Sequence, residues 1–272
     1  MKTSNHLLRR LTAALLAAVL ALSIALPVFA SDDGDTIYIN SVSDLLSLAK
    51  SCAYDQWSVG KTVILQKDLS LEGMLWEPIP SFSGQFKGNG HTISDLTITG
   101  QYSPAGLFGI VEEQGSIESL SVRGIVSVSD SADTTTGGIV GINHGTLINC
   151  QFTGVVTGDS EVGGIVGRNE SEGTIDHSTA RAIVTGKSST GGIAGYNLGA
   201  ITGCTNVGSI NTEYQEASLD TDGFTAKMLD HINNKMATAD DAATNSVTNV
   251  ATDTGGIAGR SSGMILTSVF RE

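Results

Sequence analysis

The chain has 272 residues and a formal net charge of −13, a balance that repels nucleic acid phosphates and anionic lipid headgroups and argues against both as partners. Its three cysteines are an odd number and too few for a disulfide framework. With 33 glycines beside an apolar content of 40%, it is rich in turns without having a disordered composition.

Residues 1–30 read as a secretory signal peptide. Lys2, Arg9 and Arg10 form a basic start, an apolar run extends from Leu11 to Leu26, and Val28-Phe29-Ala30 fits the small-x-small rule for cleavage before Ser31. The run is shorter than the roughly 18–20 residues that a membrane span needs. Cleavage would remove three basic residues and no acidic one, deepening the net charge from −13 to −16. No membrane span is expected after cleavage, and the expected location is secreted or extracellular, with association to a cell surface as an option.

Residues 31–81 are expected to form an N-terminal cap region of strand, helix and strand. Thr36–Asn40 alternates like a short strand. Ser43 reads as the N-cap of a helix running to Ala53, with Leu45, Leu46, Leu48, Ala49 and Cys52 on one face. Cys52 is expected to be a small buried hydrophobe rather than a reactive thiol. Lys61–Gln66 reads as the next strand, and Trp76–Pro80 (WEPIP) breaks regular structure.

Residues 82–212 carry the dominant signal. GGIVGINHGTLINC, GGIVGRNESEGTIDHS and GGIAGYNLGAITGC follow one another, and GGIAGRSSGMILTS returns near the C-terminus. Gly138, Gly164 and Gly192 are 26 and 28 residues apart, a period that marks a solenoid whose turns bury their apolar side against each other. Registered on Gly115, Gly145, Gly173, Gly199 and Gly263, the copies place Ile117, Leu147, Ile175, Ile201 and Ile265 at one position. Leu120, Cys150, Ser178, Cys204 and Ser268 share another, and Val126, Val156, Val184 and Ile210 a third. Before the glycine, Ile139, Ile165, Ile193 and Ile257 match. β-Branched residues and glycine corners favour strands, and parallel crossovers are right-handed. The predicted fold is therefore all-β, a right-handed parallel β-helix. One coil offers roughly four or five aliphatic side chains at ~1.5–3 kcal/mol each, too little to offset the ordering of nearly thirty residues; the stack must fold as a unit.

A polar ladder accompanies the apolar ones: Asn143, Asn169 and Asn197, ending at Ser261. Asparagine tolerates a left-handed corner, and its amide can bond the amide of the next coil. Cys150 and Cys204 stand two coils apart with Ser178 between them; at about 4.8 Å per coil they should be ~9–10 Å apart, beyond the ~7 Å that a disulfide tolerates. Gly84, Gly88 and Gly90 are expected to permit tight turns.

Residues 213–253 break the period. This insertion is expected to be partly helical, with Phe224, Met228, Leu229, Ile232 and Met236 at helical spacing after Asp222 as cap. It is read as a helix docked on the solenoid's side, with a binding helix or lid as the alternative. Residues 254–272 begin a last coil at Gly255-Gly256-Ile257. Without a cap, this coil would expose Ile257, Ile265 and Phe270 with unpaired strand edges. That predicts end-to-end association or missing C-terminal domains, unless the insertion folds back over the end.

The GGIVG and GGIAG phrases, each followed by asparagine and glycine, resemble the GLUG repeat of secreted and surface bacterial proteins. The stretch Trp76–Gly109 (WEPIP…FSGQFKGNGHTISDLTI…GLFG) resembles the region preceding those repeats in the non-catalytic N-terminal part of immunoglobulin-A-specific metallopeptidases. The likeness runs from about Thr36 to the end, less the insertion. It implies export, a β-helix used for display or adhesion, and no catalytic residue within the repeats.

Zinc peptidase chemistry needs HExxH, and none of His6, His91, His144, His177 and His231 begins that pattern. Paired CxxC, GxSxG and P-loop motifs are also missing. A polysaccharide lyase, the alternative reading, would use Asp176, His177 and Arg181 of one coil, with Arg168 a corner away; solvated coil faces ordinarily carry such residues, and fold alone licenses no activity. Asp130, Asp133, Asp159, Glu161 and Asp253 precede the GG pairs and could share an edge that binds calcium, solvated turn residues being the plainer account. Asn169-Glu170-Ser171 is a formal glycosylation sequon. No cofactor is expected. The function expected from these residues is a secreted, non-enzymatic adhesion or display module, the N-terminal part of a larger surface protein, whose partner is an extracellular protein or glycan.

Overall fold

The computed structural model describes residues 35–54, 56–128, 134–211 and 252–271. The signal segment, Asp130, Asp133 and the expected insertion helix lie outside the described residues.

The described chain is a parallel β-solenoid with four sheets, numbered here in the order a repeat visits them. Sheet 1 stacks Thr136–Gly137, Val162–Gly163, Ser188–Gly191 and Thr252–Gly255. Sheet 2 stacks Ile79–Phe82, Phe108–Val111, Val140–Asn143, Val166–Asn169, Ala194–Asn197 and Ala258–Ser261, one strand from each of six turns. Sheet 3 begins with Thr36–Ile39, Thr62–Leu65 and Gln85–Lys87 and continues through Ser116–Glu118, Thr146–Ile148, Thr174–Asp176 and Ala200–Thr202 to Met264–Leu266. Sheet 4 runs from Leu69–Ser70 through Thr92–Gly100, Ser121–Val128, Gln151–Thr157, Thr179–Thr185 and Thr205–Asn206 to Val269–Phe270, with Ser209–Ile210 beside it. The pairings are parallel and in register, as in Leu147 with Ile117 and Ile175, and Val156 with Val126 and Val184.

Register follows from burial. Phe86, Ile117, Leu147, Ile175 and Ile201 form one interior row, and Ile139, Ile165 and Ile193 another; all are fully buried. In a parallel sheet a one-residue slip would turn such a row to solvent. The glycine pair fits the same logic. A Cβ on Gly137, Gly163, Gly191 or Gly255 would collide with the carbonyl oxygen of Val140, Val166, Ala194 or Ala258 respectively. The chain doubles back too tightly there for any side chain.

Several sequence expectations are refined. The parallel ladder starts upstream of residue 82: Thr36–Ile39 pairs with Thr62–Leu65, which pairs with Gln85–Lys87. Among the described residues of the N-terminal region, the helix is α1, Val42–Ser51, which stands outside the sheets. Its N-cap is Ser41 rather than Ser43, because the Ser41 hydroxyl accepts from the Asp44 N–H while Asp44 Oδ2 accepts from the Asn40 N–H, a reciprocal cap. The Asn40 N–H, and then the Ser41 hydroxyl, hold the Asp44 carboxyl below its ordinary pKa. Ile79 and Pro80 of WEPIP already belong to a strand; it is an end strand of sheet 2, where a missing N–H is tolerated. Gly90 adopts a positive φ of 78°, but Gly84 and Gly88 do not: they are required by close approach to Ser58 and Leu120. The last coil begins at Thr252, whose strand pairs with Ser188–Gly191.

Candidate functional site

The polar ladder is the most highly organised feature of the interior. Asn143, Asn169 and Asn197 end successive strands of sheet 2 and are fully buried. Asn143 Nδ2 donates to Asn169 Oδ1 at 2.8 Å, Asn169 Nδ2 to Asn197 Oδ1 at 2.8 Å, and Asn197 Nδ2 to Ser261 Oγ at 3.1 Å. Each amide also donates to the carbonyl of the glycine at the following corner, Gly145, Gly173 or Gly199. Both donors of every amide are thereby used. The asparagines are not among the residues of positive φ, so the left-handed corner expected for them lies elsewhere. It falls between sheets 3 and 4, at Ser119, Asn149, His177, Gly203 and Thr267. These five share a backbone conformation and no side-chain type, which hides the row from a reading of the sequence; Asn149 and Gly203 are its only compositional hints.

The ladder has an unfilled start. Asn143 Oδ1 is buried with no hydrogen-bond partner, because the preceding turn places Val111 at the paired position. The formal sequon at Asn169 lies within this ladder, its amide buried and bonded on both N–H groups.

Cys52, Cys150 and Cys204 are free and buried. Burial pushes the thiols up to about 11, about 12 and about 11, so the nucleophilic thiolate is suppressed at neutral pH. The Cys150 N–H donates to Ser178 Oγ at 3.1 Å and the Cys204 N–H to Ser268 Oγ at 3.2 Å. Ser178 is itself fully buried, and this row is a continuous part of the coil-to-coil bonding.

The residues considered for lyase chemistry are distributed over different sheets. Asp176 ends a strand of sheet 3, and His177 Nδ1 lies 2.8 Å from its Oδ1. Arg181 is in sheet 4, paired in register with Thr153. Arg168 is in sheet 2, against Glu161 (Nη1–Oε1 3.0 Å) and Glu170 (Nε–Oε1 2.6 Å, a contact too poorly aligned to satisfy the Nε–H). Of the acidic edge, Glu161 is held by Arg168 and by the Thr135 hydroxyl, and Asp159 pairs with Lys187. Among the described residues no three His, Cys, Asp or Glu side chains come together as a metal site.

Two outer features were not anticipated. In sheet 2 the row beside the asparagines reads Ile142, Arg168, Tyr196, Arg260 in register. The two guanidinium groups stack on the Tyr196 ring at 5.1 and 5.5 Å from its centroid, a cation–π arrangement. Aligning the residue between glycine and asparagine in each GGIxGxN phrase would have revealed it. At the sheet 3–sheet 4 corner, Ser119, Ser121, Asn149, Gln151, His177 and Thr179 line a shallow polar groove along the stack.

Residues 158–185 match the GLUG motif. Halomucin of Haloquadratum walsbyi is 32% identical over 155 residues, 52% of this chain and 2% of that protein. A protein of Evansella cellulosilytica named as a Gly-rich membrane protein is 29% identical over 137 residues, 36% of this chain and 16% of that one. The chain thus spans a small fraction of the length of these relatives. A solved protein of Bacteroides ovatus, named as an immunoglobulin A1 protease, aligns at 20% identity with a TM-score of 0.49, over 64% of this chain and 59% of that one. Among the described residues no helix is long and apolar enough to cross a membrane.

Proposed function

We propose that this chain, a carrier of the GLUG motif similar to parts of halomucin and of a Gly-rich membrane protein, is an exported, non-enzymatic β-solenoid that serves as an extracellular adhesion or display module of a larger surface protein. The observation that carries the reading is where the repeated polar groups go. Asn143, Asn169, Asn197, Cys150, Ser178 and Cys204 are buried and bonded from coil to coil, so the side chains that recur in each turn build the rod. On the outer face of sheet 2 the row Ile142, Arg168, Tyr196 and Arg260 changes at every turn, as suits a scaffold that presents a surface. Residues 1–30 would direct export, and an acidic, solvated exterior suits an extracellular setting.

The test is a glycan and host-protein array probed with the full chain, run beside a lyase assay on acidic polysaccharides. Binding without release of product is expected. Release of unsaturated oligosaccharides, lost in Asp176→Ala or Arg181→Ala, would overturn the reading in favour of an exported carbohydrate-active enzyme.

A further inference from the structure

Successive coils present a polar array on one flank of the rod. In sheet 4 the strands Ser121–Val128, Gln151–Thr157 and Thr179–Thr185 pair in register. Val122, Phe152 and Ala180 are fully buried in the core, so by the alternation of a strand the residues on either side of them face outward. One outward row is Ser121, Gln151 and Thr179, which lines the groove at the sheet 3–sheet 4 corner together with Ser119, Asn149 and His177. The next outward row is Arg123, Thr153 and Arg181. These rows carry hydroxyl, amide, imidazole and guanidinium groups and no carboxylate, in a chain with 28 acidic residues. Arg123 is exposed and Arg181 half-buried, and neither makes an ion pair or hydrogen bond among the described residues. By contrast, Arg168 is held by Glu161 and Glu170, and Lys187 by Asp159. The carboxylates that border the array are engaged elsewhere. Asp95, in the bulge opposite Arg123, accepts from the Ser70 and Ser94 hydroxyls at 2.6 and 2.8 Å. Asp176 lies 2.8 Å from His177 Nδ1, and Glu118 is paired in register with Lys87.

We propose that this flank binds a linear polysaccharide with uronic acid carboxylates on alternate sugars, laid along the stack. The proposal rests on the reading of the chain as an adhesion or display module and names its ligand class. Coils rise about 4.8 Å, close to the length that one pyranose ring adds to an extended chain, so successive sugars would meet successive coils. Arg123 and Arg181 are two coils apart in register. Alternate carboxylates would therefore reach both, in the bidentate geometry that a guanidinium favours. Thr153 between them is short and 6% exposed, which suits the uncharged sugar. The hydroxyl and amide rows offer both donors and acceptors to sugar hydroxyls. An acidic peptide fits less well, because it needs a free strand edge or apolar pockets. Both edges of Gln151–Thr157 are paired, and Ile125 and Val155, next along the strands, are only 6% and 5% exposed. The net charge of −13 opposes a polyanion at long range, but exposed charges more than about 8 Å apart are largely screened at physiological salt. The local cations then decide binding.

Isothermal titration calorimetry of the full chain with hyaluronan oligosaccharides, which carry a carboxylate on every second sugar, tests this. Binding is expected that weakens as salt is raised and disappears with the carboxyl-reduced oligosaccharide. Arg123→Gln and Arg181→Gln should each weaken it on the order of 10-fold, and together on the order of 100-fold. Arg181→Lys should recover only part of the loss, since an ammonium cannot grip a carboxylate through two parallel bonds. Lys50→Gln, at an exposed cation on α1, should leave the affinity unchanged. Urea midpoints establish that the variants remain folded; should an arginine variant unfold, the carboxyl-reduced probe on the unaltered chain supplies the same reading. Failure to bind, binding indifferent to both arginines or to carboxyl reduction, or equal binding of poly-glutamate would each overturn this proposal and leave the adhesion reading standing. Release of unsaturated product from the oligosaccharides would overturn the non-enzymatic reading and this proposal with it.

Discussion

The two ends of the stack carry the same kind of interior and treat it differently. At the N-terminal end α1 covers the first turns, and Leu45 and Leu48 are 0% and 2% exposed. At the C-terminal end Ile265 occupies a register position that is fully buried in Phe86, Ile117, Leu147, Ile175 and Ile201 before it, and remains 39% exposed. The contrast shows that burial in this molecule is a property of having a neighbour on both sides. A turn contributes stability only when the next turn or a cap removes its face from water, as expected of a quasi-one-dimensional architecture.

The sharpest way to break the comparison is to place the same charge at two positions of one row. Ile175→Asp puts a carboxylate into a fully enclosed site with no partner, and a loss of more than ~4 kcal/mol, enough to unfold the central stack, is expected. Ile265→Asp should cost less than ~1 kcal/mol, because water already reaches that site. Urea midpoints of the two variants measure the difference, and equal losses would mean that the end turn is covered. Next in size is the cap itself. Leu48→Ala should cost about 2–4 kcal/mol through the cavity left beneath α1. Leu266→Ala, at the other end and 49% exposed, should cost only a few tenths.

Much of this was legible in the sequence because the repeat writes each row several times. Ile139, Ile165 and Ile193, or Val126, Val156 and Val184, name their own neighbours, and an in-register parallel stack is the arrangement that brings them together. Where a turn lacks the glycine phrase, that signal fails. Thr36–Ile39 and Thr62–Leu65 belong to sheet 3 by backbone pairing alone, so the start of the ladder was placed too late. The N-cap moved by two residues because Ser41 and Ser43 are chemically equal candidates, and only the reciprocal bond between Asp44 and Asn40 separates them. The corner at Ser119, Asn149, His177, Gly203 and Thr267 was hidden for the opposite reason: its unity is in φ, and side-chain identity does not report it. Of the candidate site, the partners of the asparagine ladder could be read from spacing, whereas the separation of Asp176, Arg181 and Arg168 onto three sheets depends on where corners fall within a turn.

The ladder offers a smaller test of the same contrast. Asn169→Ala removes the middle rung, leaving Asn143 Nδ2 short of one acceptor and Asn197 Oδ1 without its donor. The loss should be about 1–3 kcal/mol, the cost of stranding buried polar groups. Ser261→Ala at the last rung should cost about half as much or less, since that turn is partly open and water can take the place of the hydroxyl. Comparable losses at both rungs would indicate an end turn as dry as the middle.

The finest distinction lies at the first rung. Asn143 Oδ1 is buried without a donor, opposite Val111. At the far end of the same ladder a hydroxyl occupies the paired position, and Ser261 Oγ meets the neighbouring amide at 3.1 Å. That geometry shows that a side chain of one-oxygen length reaches an amide across a single turn. Val111→Thr keeps the shape of valine and adds a hydroxyl, with an acceptor already waiting in Asn143 Oδ1. Ordinarily, burying a hydroxyl in place of a methyl costs about 1–3 kcal/mol when nothing receives it. Val126→Thr, at a fully buried position between Ile98 and Val156, should show that full loss. Val111→Thr should fall at least ~1 kcal/mol below it, the net worth of one hydrogen bond made to a previously stranded group. Chemical denaturation of the two variants side by side decides the matter: equal destabilisation would mean that the new hydroxyl gains nothing from the Asn143 carbonyl, which is then satisfied by water.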